Sequence, residues 1–569
     1  MVNRGFDYQD IQHYLNTDDT DILPTNLMLN VDNGVKMLVN HISQNDKVLV
    51  VADSDCDGYT STAVLLNYLY CLFPGFVQNN ITYRIHEGKE HGVVLNEIPD
   101  DVQLVIYPDA ASNNYEEHQY LKQQCGIDIL VIDHHEAEKI SEYACVINNQ
   151  LCEHTTKSLS GVGMVYKFCK HIDYLMDCNY ADNFLDLVAL GIIADMVSMK
   201  DFETKRLVEK GLNNIQNPYF KGMVEKNSFK LGTTPTPIGV AFYVAPYVNA
   251  TIRVGTQEEK LILLESMLDY QGYELIPSTK RGCKGQTETK VEQACRNCTN
   301  IKNRQTNAVD VSLNVIKRII EEHNLLENKV LAIKLEPEYQ VDKRIVGLVA
   351  NKLMAEYQKP TLLLNRTEHT DEITQVKEIW WEGSGRGYDK SKLTSFKDFL
   401  QESNLVEYAE GHAQAFGAGI KDENFSDFII YSNNALANYD FSPQYKVDFI
   451  YDQFNIKSKD ILEIAGYDML WGQGVAEPKI VIENINLTKN MVQLMSPNQR
   501  PTLKITLPQG ISLIKFGSSN EEYEALYSEL GCVTINVVGR CEKNVWNGTI
   551  SPQINIEQYE IVNRTNYYF

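Results

Sequence analysis

Three acidic residues that follow directly on a short apolar run constrain the fold of this chain more than any other feature. Residues 48–52, VLVVA, have the uninterrupted apolar pattern of a strand buried on both faces of a parallel sheet. The next residues include Asp53, Asp55, Asp57 and Gly58, and residues 60–69 then have the pattern of an apolar helix. Buried carboxylates this close repel one another, and a divalent cation that prefers oxygen ligands, such as Mg²⁺ or Mn²⁺, removes the repulsion. Taken alone, the motif also fits an acidic turn on the surface.

The same pattern recurs three times further along the chain. The segments and the residues after them are 104–107 with Asp109, 129–132 with Asp133, His134 and His135, and 187–193 with Asp195. Helical lengths separate the four segments, which predicts a doubly wound α/β sheet whose ligands collect at the carboxyl ends of the strands. Carboxylates and imidazoles that meet there can hold two cations, and phosphoester hydrolysis is the reaction that such a site suits best.

Composition and charge limit the remaining possibilities. A chain of 569 residues predicts about three or four domains. The net charge of -24 means that any binding of nucleic acid must use a local basic surface. The polar N-terminus and the lack of a membrane-length apolar stretch predict no membrane association, and the twelve scattered cysteines favour a reducing cytoplasm.

Residues 216–325 combine helical periodicity with a local run of basic side chains. The run comprises Lys280, Arg281, Lys284, Lys290, Arg296, Lys302, Arg304, Lys317 and Arg318. One interpretation is a solvated helix face. The other is a channel that binds a nucleic-acid strand through its phosphates, with Lys302 and Arg304 among the contacts.

The second half of the chain predicts two further domains. Strand patterns at residues 330–334 and 360–364 flank an apolar helix, and GSGRG at 383–387 offers backbone amides and a guanidinium for a phosphate. From about residue 440 short strands with turns between them suggest a small barrel of the OB type. Residues 545–556 predict a hairpin with its turn at Asn547-Gly548.

Several motifs resemble those of a known family. ADSDCDG, PDAASNN, IDHHE and GIIADMVSM resemble the four motifs of the DHH phosphoesterases. LSGVGMVYKF, YVNATIR, GSGRG and GHAQAFGAGI extend the resemblance to the RecJ family of single-strand-specific DNA exonucleases, from about residue 30 to the C-terminal region. The chain departs from that pattern at Glu410 and Arg344, where glycines are usual. It also departs at residues 86–92, where HEGKEHG replaces a loop that contains arginine.

The resemblance implies roles for individual residues. The implied metal ligands, for two Mn²⁺ or Mg²⁺ ions, are Asp55, Asp57, Asp109, His134 and Asp195, with Asp109 as the bridge. The implied catalytic or supporting residues are Asp53, Asp133 and His135. The implied contacts to the nucleic acid or its phosphates are Asn249, Arg253, Ser384, Arg386 and His412.

The resemblance also implies an architecture and an activity. We expect a DHH catalytic domain over residues 1–215, a helical connector over 216–325, a DHH-associated α/β domain over 326–435 and an OB-like β domain over 436–569. The implied activity is 5′→3′ hydrolysis of single-stranded DNA to mononucleotides in recombination, repair or replication. The expected partners are single-stranded DNA and single-strand-binding or recombination proteins, and the expected state is a monomer. The alternatives are a DHH phosphodiesterase of short oligonucleotides or cyclic dinucleotides, and an inactive RecJ-like replication scaffold.

Overall fold

The apolar run at residues 48–52 forms a strand in which every residue is buried. The structure is a computed structural model that describes residues 1–87, 90–152, 156–232, 234–370, 377–496, 501–526, 531–546 and 548–566. These residues form two compact units. The first comprises residues 1–252, 256–296 and 446–569, and the second comprises residues 253–255 and 297–445.

A parallel sheet of five strands forms the core of the first unit. Its strands are β1 Val48–Ala52, β2 Ile81–Ile85, β3 Leu104–Pro108, β4 Asp128–Asp133 and β5 Cys145–Asn148. All neighbours are parallel, in the spatial order β2-β1-β3-β4-β5. The predicted parallel α/β sheet is therefore confirmed, and the carboxyl ends of β1, β3 and β4 lie at one edge.

Helices precede, separate and follow these strands along the chain. They are α1 Tyr8–Leu15, α2 Val31–Gln44, α3 Cys56–Leu72, α4 Pro74–Asn80, α5 Tyr115–Tyr120, α6 Gly161–Met176, α7 Leu185–Ala194 and α8 Phe202–Asn213. α3 begins four residues earlier than the apolar pattern predicts, because Asp55 caps it by accepting a hydrogen bond of 2.9 Å from the Gly58 amide. Within the described ranges, no helix is long and apolar enough to cross a bilayer.

One of the four apolar segments is a helix and not a strand. Residues 187–193 lie in α7, so Asp195 follows the end of a helix. Residues 187–193 are all buried, which leaves this part of α7 apolar on every side. A run that is apolar on all sides lacks the periodicity that distinguishes a helix from a buried strand. The expectation of four strand ends is therefore corrected to three strand ends and one helix end.

The predicted connector is largely helical. Its helices are α9 Pro218–Lys226, α10 Ser228–Leu231, α11 Pro237–Tyr243, α12 Ala245–Val254, α13 Gln257–Met267 and α14 Lys290–Glu322. It also contains a two-stranded antiparallel hairpin, β6 Leu275–Pro277 with β7 Thr287–Thr289, that the sequence patterns did not predict.

The second unit contains a mixed sheet with helices. Its strands are β8 Leu331–Leu335, β9 Thr361–Thr370, β10 Lys377–Arg386, β11 Tyr408–His412 and β12 Ala415–Lys421. The spatial order is β11-β12-β10-β9-β8, and only β8 and β9 are parallel. The helices that follow α14 are α15 Val346–Tyr357, α16 Phe396–Glu402 and α17 Asp422–Ala435.

The C-terminal region of the first unit is mainly β. Its strands are β13 Phe449–Asp452, β14 Lys479–Leu487, β15 Val492–Met495, β16 Thr502–Thr506, β17 Ser512–Phe516, β18 Gly531–Trp546 and β19 Thr549–Asn566. Two short helices accompany them, α18 Ser458–Ile464 and α19 Asn520–Ala525. β18 and β19 pair as a hairpin up to Trp546 and Thr549, as predicted. The predicted turn residue Asn547 lies outside the described residues.

The seven C-terminal strands form an open series. The order is β13-β14-β18-β19-β17-β16-β15, and no pairing joins β13 to β15 among the strands described. The expectation of a closed barrel is not confirmed. Buried aliphatic side chains such as Ile482, Leu503 and Ile535 form the core of this region.

Candidate active site

Acidic side chains from separate elements converge at the carboxyl edge of the parallel sheet. Asp53 follows β1, Asp109 follows β3, and Asp133 ends β4. Asp57 lies in the first turn of α3, which begins just after β1. These four side chains are buried, each with no more than 3% of its surface exposed. The parallel topology explains the convergence, because it directs every strand end to the same edge.

The N-terminus of α6 holds Asp57. The amides of Gly161 and Val162 donate hydrogen bonds of 2.6 and 3.2 Å to the Asp57 carboxylate. The positive end of the helix dipole favours a carboxylate there. A second glycine, Gly191 of α7, also packs against the carboxylate, since a Cβ at that position would lie 2.5 Å from Asp57 Oδ1.

Asp109 has an unusual backbone conformation. Its φ of 75° lies in the left-handed region, which non-glycine residues seldom adopt. Its amide donates a hydrogen bond of 2.8 Å to the carbonyl of Ile132, which ties the residue to the end of β4. Its Oδ1 atom is buried and makes no hydrogen bond to any described residue, although His134 Nε2 is 3.2 Å away. Strain of this kind is typically retained where the conformation places a functional group.

The two histidines after β4 have different surroundings. His134 Nε2 lies 3.2 Å from Asp109, 3.7 Å from Asp195 and 3.9 Å from Asp57. His135 is half exposed, and its Nδ1 lies 2.7 Å from Asp133 Oδ1. Burial, reinforced by His135, lowers the pKa of His134 to about 4. The hydrogen bond to Asp133 raises the pKa of His135 to about 9.

The carboxylates disfavour one another's charge. Burial raises the pKa of Asp57 well above its usual value, and repulsion from Asp195 and Asp55 adds to the rise. Burial also raises the pKa of Asp109 well above its usual value, and repulsion from Asp57 is the next largest cause. Burial and then Asp55 raise the pKa of Asp53 and of Asp195 to about 7. The exception is Asp133, because its hydrogen bonds to His135 and Ser112 outweigh burial and lower its pKa. A positive charge would offset the repulsion.

The donor atoms suit divalent cations. In each of three sets of side chains, the nearest ligand atoms lie within 4.8 Å of one another. The sets are Asp53, Asp55 and Asp109; Asp57, His134 and Asp195; and Asp109, Asp133, His134 and His135. Asp109 and His134 each belong to two sets. Oxygen atoms, with one or two imidazole nitrogens, are ligands that Mg²⁺ or Mn²⁺ accepts. The unpartnered Asp109 Oδ1 at the centre supports that fit.

Sequence reasoning missed side chains that position these groups. His91 Nδ1 lies 2.9 Å from Asp53 Oδ1. The Ser112 amide donates a hydrogen bond of 3.1 Å to Asp133 Oδ2, and Asn148 donates one of 2.9 Å to the His135 carbonyl. His91 lies in the segment that replaces the family's arginine-containing loop. That position was the one sequence signal that could have pointed to His91 as a residue of the site. Asn148 directly follows the apolar run of β5, which no motif had singled out.

In the first unit, Asn249 also lies next to the acidic motif. Its Oδ1 accepts a hydrogen bond of 3.1 Å from the Cys56 amide, at the start of α3. Asn249 therefore supports the turn that carries Asp55 and Asp57.

Three basic residues come together in the second unit. Burial lowers the pKa of Lys302, and the neighbouring cations Arg253 and Lys352 lower it further. Burial also lowers the pKa of Arg386, and Arg253 adds to that effect. No carboxylate of the described residues forms an ion pair with Arg253, Lys302 or Arg386. Cations that lie near each other without an acidic partner are suited to an anionic ligand.

The segment GSGRG is part of a strand. Residues 383–386 end β10, and β9 and β12 pair with them on either side. The backbone therefore holds the sheet together, which corrects the expectation of a cradle made of backbone amides. Ser384 and Arg386 keep their side chains available. A Cβ on Gly347, in the first turn of α15, would lie 2.6 Å from Arg386 Nη2 and 3.3 Å from Ser384 Oγ.

The other residues predicted to contact phosphates, and two more of the basic run, are either exposed or held in ion pairs. His412 and Arg304 are exposed, and His412 ends β11. Lys290 pairs with Glu265 at 2.9 Å and with Glu274 at 2.5 Å, and Arg296 pairs with Glu288. Lys290 and Arg296 thus stabilise the connector by internal ion pairs, so they do not form a free basic surface.

Comparisons with known proteins agree with this geometry. The model of the DHH family, N-terminal domain, matches residues 47–192. The putative SPbeta prophage-derived single-strand DNA-specific exonuclease YorK of Bacillus subtilis (strain 168) is 36% identical over 569 residues, covering 99% of this chain and 95% of that protein. The single-stranded-DNA-specific exonuclease RecJ of the same strain is 25% identical over 581 residues, covering 98% of this chain and 67% of the relative.

A solved structure has the same fold. The crystal structure of RecJ in complex with Mn²⁺ from Thermus thermophilus matches with a TM-score of 0.69 at 17% identity, over 95% of this chain and 72% of that one. The acidic cluster, the parallel sheet and the near full-length similarity lead to one assignment. This chain belongs to the RecJ-like family within the DHH superfamily, whose named relatives are exonucleases.

Proposed function

We propose that this chain is a metal-dependent exonuclease that hydrolyses single-stranded DNA from its 5′ end to mononucleotides, in recombination, repair or replication. The observation that carries the proposal is the buried cluster around Asp109 Oδ1, an oxygen without a hydrogen-bond partner in the described chain. Relatives named as single-strand DNA-specific exonucleases support the choice of substrate.

Five residues of the cluster are the proposed metal ligands. The side chains that would hold two divalent cations, Mn²⁺ or Mg²⁺, are Asp55, Asp57, Asp109, His134 and Asp195. Bound there, the cations supply positive charge to the phosphate oxygens and lower the pKa of water. Asp109 is the bridging candidate, because it belongs to two of the ligand sets and its backbone is held at β4.

Residues beside the ligands hold and orient the reacting groups. Asp133 accepts the hydrogen bond from His135 Nδ1, which fixes the ring and leaves Nε2 to contact the scissile phosphate. Asp53 lies against His91, and this contact positions the first acid of the motif. Both arrangements restrict side-chain rotation before substrate binds, which lowers the entropy cost of reaching the reactive geometry.

A second set of residues is suited to the phosphates of the strand. Arg253 and Arg386 are cations without an acidic partner among the residues described, and Ser384 adds a hydroxyl beside Arg386. We assign them to the terminal phosphate, with Lys302, Arg304 and His412 as further backbone contacts. Asn249 acts from the first unit by supporting the turn of the acidic motif.

The test uses single strands labelled at the 5′ or the 3′ end, incubated with Mn²⁺ and the purified chain. We expect a labelled mononucleotide at once from the 5′ label and shortening of the strand from the 3′-labelled substrate. Asp109→Asn is the inactive control. Cleavage confined to oligonucleotides of a few residues or to cyclic dinucleotides would favour the phosphodiesterase alternative. Binding of the strand without any cleavage would favour the scaffold.

A further inference from the structure

A second cluster of metal-binding side chains lies apart from the carboxylates of the candidate active site. His86 directly follows β2, Glu90 lies four residues later, and Glu97 ends the short turn Leu95–Glu97. One ligand atom from each lies within 4.8 Å of the other two. None of these three residues belongs to the motifs that identify the family.

His86 is buried in an unsatisfied state. Only 4% of the residue is exposed, and neither ring nitrogen makes a hydrogen bond that meets ordinary geometry within the described chain. The Gly92 backbone acts on the ring in the direction that raises the pKa of His86, but it makes no hydrogen bond of ordinary geometry to either ring nitrogen. Burying a polar group without a partner is unfavourable, so a ligand for the ring is expected.

Glu97 presents one oxygen toward the same point. Arg84 occupies Oε1 through an ion pair and donates a further hydrogen bond of 2.9 Å to the Glu97 carbonyl. Oε2 is buried, has no hydrogen-bond partner among the residues described and lies 4.0 Å from His86 Nδ1. Arg84 therefore orients the carboxylate and leaves its second oxygen for a ligand, as groups behind a metal ligand commonly do.

The electrostatics of the cluster favour a cation. Burial is the main factor that raises the pKa of Glu97; Arg84 opposes the rise, and Glu90 and Glu87 add to it. Burial, reinforced by His91 and Arg84, lowers the pKa of His86 to about 4, whereas Glu90 acts in the opposite direction. A neutral imidazole and two carboxylates that repel each other are a ready set of ligands.

We propose that His86, Glu90 and Glu97 bind a divalent transition-metal ion, for which Zn²⁺ is the best fit. One imidazole and two carboxylates give three protein ligands, and water completes a four-coordinate site. Imidazole distinguishes Zn²⁺ from Mg²⁺, which is held mainly by oxygen. Binding of this ion does not require the activity proposed above.

The loop that carries the site also contacts the acidic motif. Ser54 Oγ donates a hydrogen bond of 2.7 Å to the Glu90 carbonyl, and His91 lies 2.9 Å from Asp53. An ion on Glu90 therefore fixes the backbone from which His91 reaches Asp53. The ion serves to hold Glu90 in place and does not enter the chemistry.

The test measures Zn²⁺ binding in a variant whose candidate active site has lost two of its ligand carboxylates. The full chain with Asp57→Asn and Asp109→Asn is stripped with a chelator, and Zn²⁺ is titrated against a chromophoric competitor. We expect one tightly bound Zn²⁺ per chain. Glu90→Gln should weaken it by roughly 10–100-fold or more, because one of three ligands loses its charge. Bound Co²⁺ should also give a visible absorption band that His86→Ala removes.

Two controls keep the outcome decisive. Glu87→Gln changes an exposed acid of the same loop that is not in the cluster, and it should change the affinity far less than Glu90→Gln does. His86→Ala alters a buried residue, so circular dichroism must show that it folds; if it does not, Glu90→Gln decides. No retained Zn²⁺ in the double variant, or equal affinities for Glu87→Gln and Glu90→Gln, would overturn the proposal.

Discussion

Gly161 lies directly against Asp109. A Cβ built on Gly161 would be 2.1 Å from Asp109 Oδ1, and the Gly161 amide donates a hydrogen bond of 2.6 Å to Asp57. The absence of a side chain at the first position of α6 thus lets one residue contact two acids from different elements. The Asp109 oxygen that faces this glycine is buried and has no hydrogen-bond partner among the described residues.

This contact predicts the effect of Gly161→Ala. The added methyl cannot be accommodated at 2.1 Å, so Asp109 or α6 must move. A displacement of about 1 Å in such a site costs on the order of 100-fold in rate. The measurement is the initial rate of single-strand hydrolysis at saturating Mn²⁺. Gly163→Ala is the matched control, because the three atoms nearest its Cβ all belong to the Leu159 side chain, the closest at 3.2 Å. Similar rates for the two variants would contradict the prediction.

A second prediction concerns Asp109→Asn and metal binding. Asn tolerates the φ of 75° better than Ala does. The variant therefore removes the charge of Asp109 without adding backbone strain. Without cations it should unfold at the same temperature as the parent or higher, because one mutually repelling carboxylate is gone. At 100 times the dissociation constant, Mn²⁺ should stabilise the parent by about 2.7 kcal/mol and the variant far less. Scanning calorimetry with and without Mn²⁺ measures both. An equal Mn²⁺ effect in the two proteins would remove Asp109 from the ligand set.

Arg386→Ala should reduce the preference for a 5′-phosphorylated strand over a 5′-hydroxyl strand. Loss of one charge-assisted contact is worth roughly 1.5–3 kcal/mol, about a tenfold to hundredfold change in the ratio of the two rates. Arg318→Ala is the control, since Arg318 is an exposed guanidinium on α14 that hydrogen-bonds the Asn314 carbonyl. An unchanged ratio would limit Arg386 to a structural part in β10.

The buried ion pair of Lys167 and Glu203 predicts a large effect on stability. Lys167, on α6, has no exposed side-chain surface and also donates to the Leu23 carbonyl, while Glu203 lies on α8. Lys167→Met leaves a buried carboxylate without its cation, which typically costs about 3–5 kcal/mol. The midpoint of thermal unfolding should therefore fall by several degrees. Adding Glu203→Leu should restore most of the loss, and failure to do so would mean that packing, not charge, is responsible.

The sequence by itself determined the parallel sheet and the identity of its acidic edge. Residues 48–52 and 129–132 are apolar runs of strand length, and their acids follow at once, so the pattern is local and readable. The hairpin of β18 and β19 was predictable for the same reason, because the Asn547-Gly548 turn signal is contained in adjacent residues.

Only the tertiary structure decided the rest, because it depends on contacts between distant residues. Asp195 follows a helix, since α7 is apolar on all sides and its period is therefore hidden. GSGRG is the end of a strand because β9 and β12 pair with it, and neither partner is visible in the motif. The left-handed backbone of Asp109 and the His91 contact to Asp53 have no local signature either. Each arises from packing between segments that are far apart in the chain, which composition and periodicity do not record.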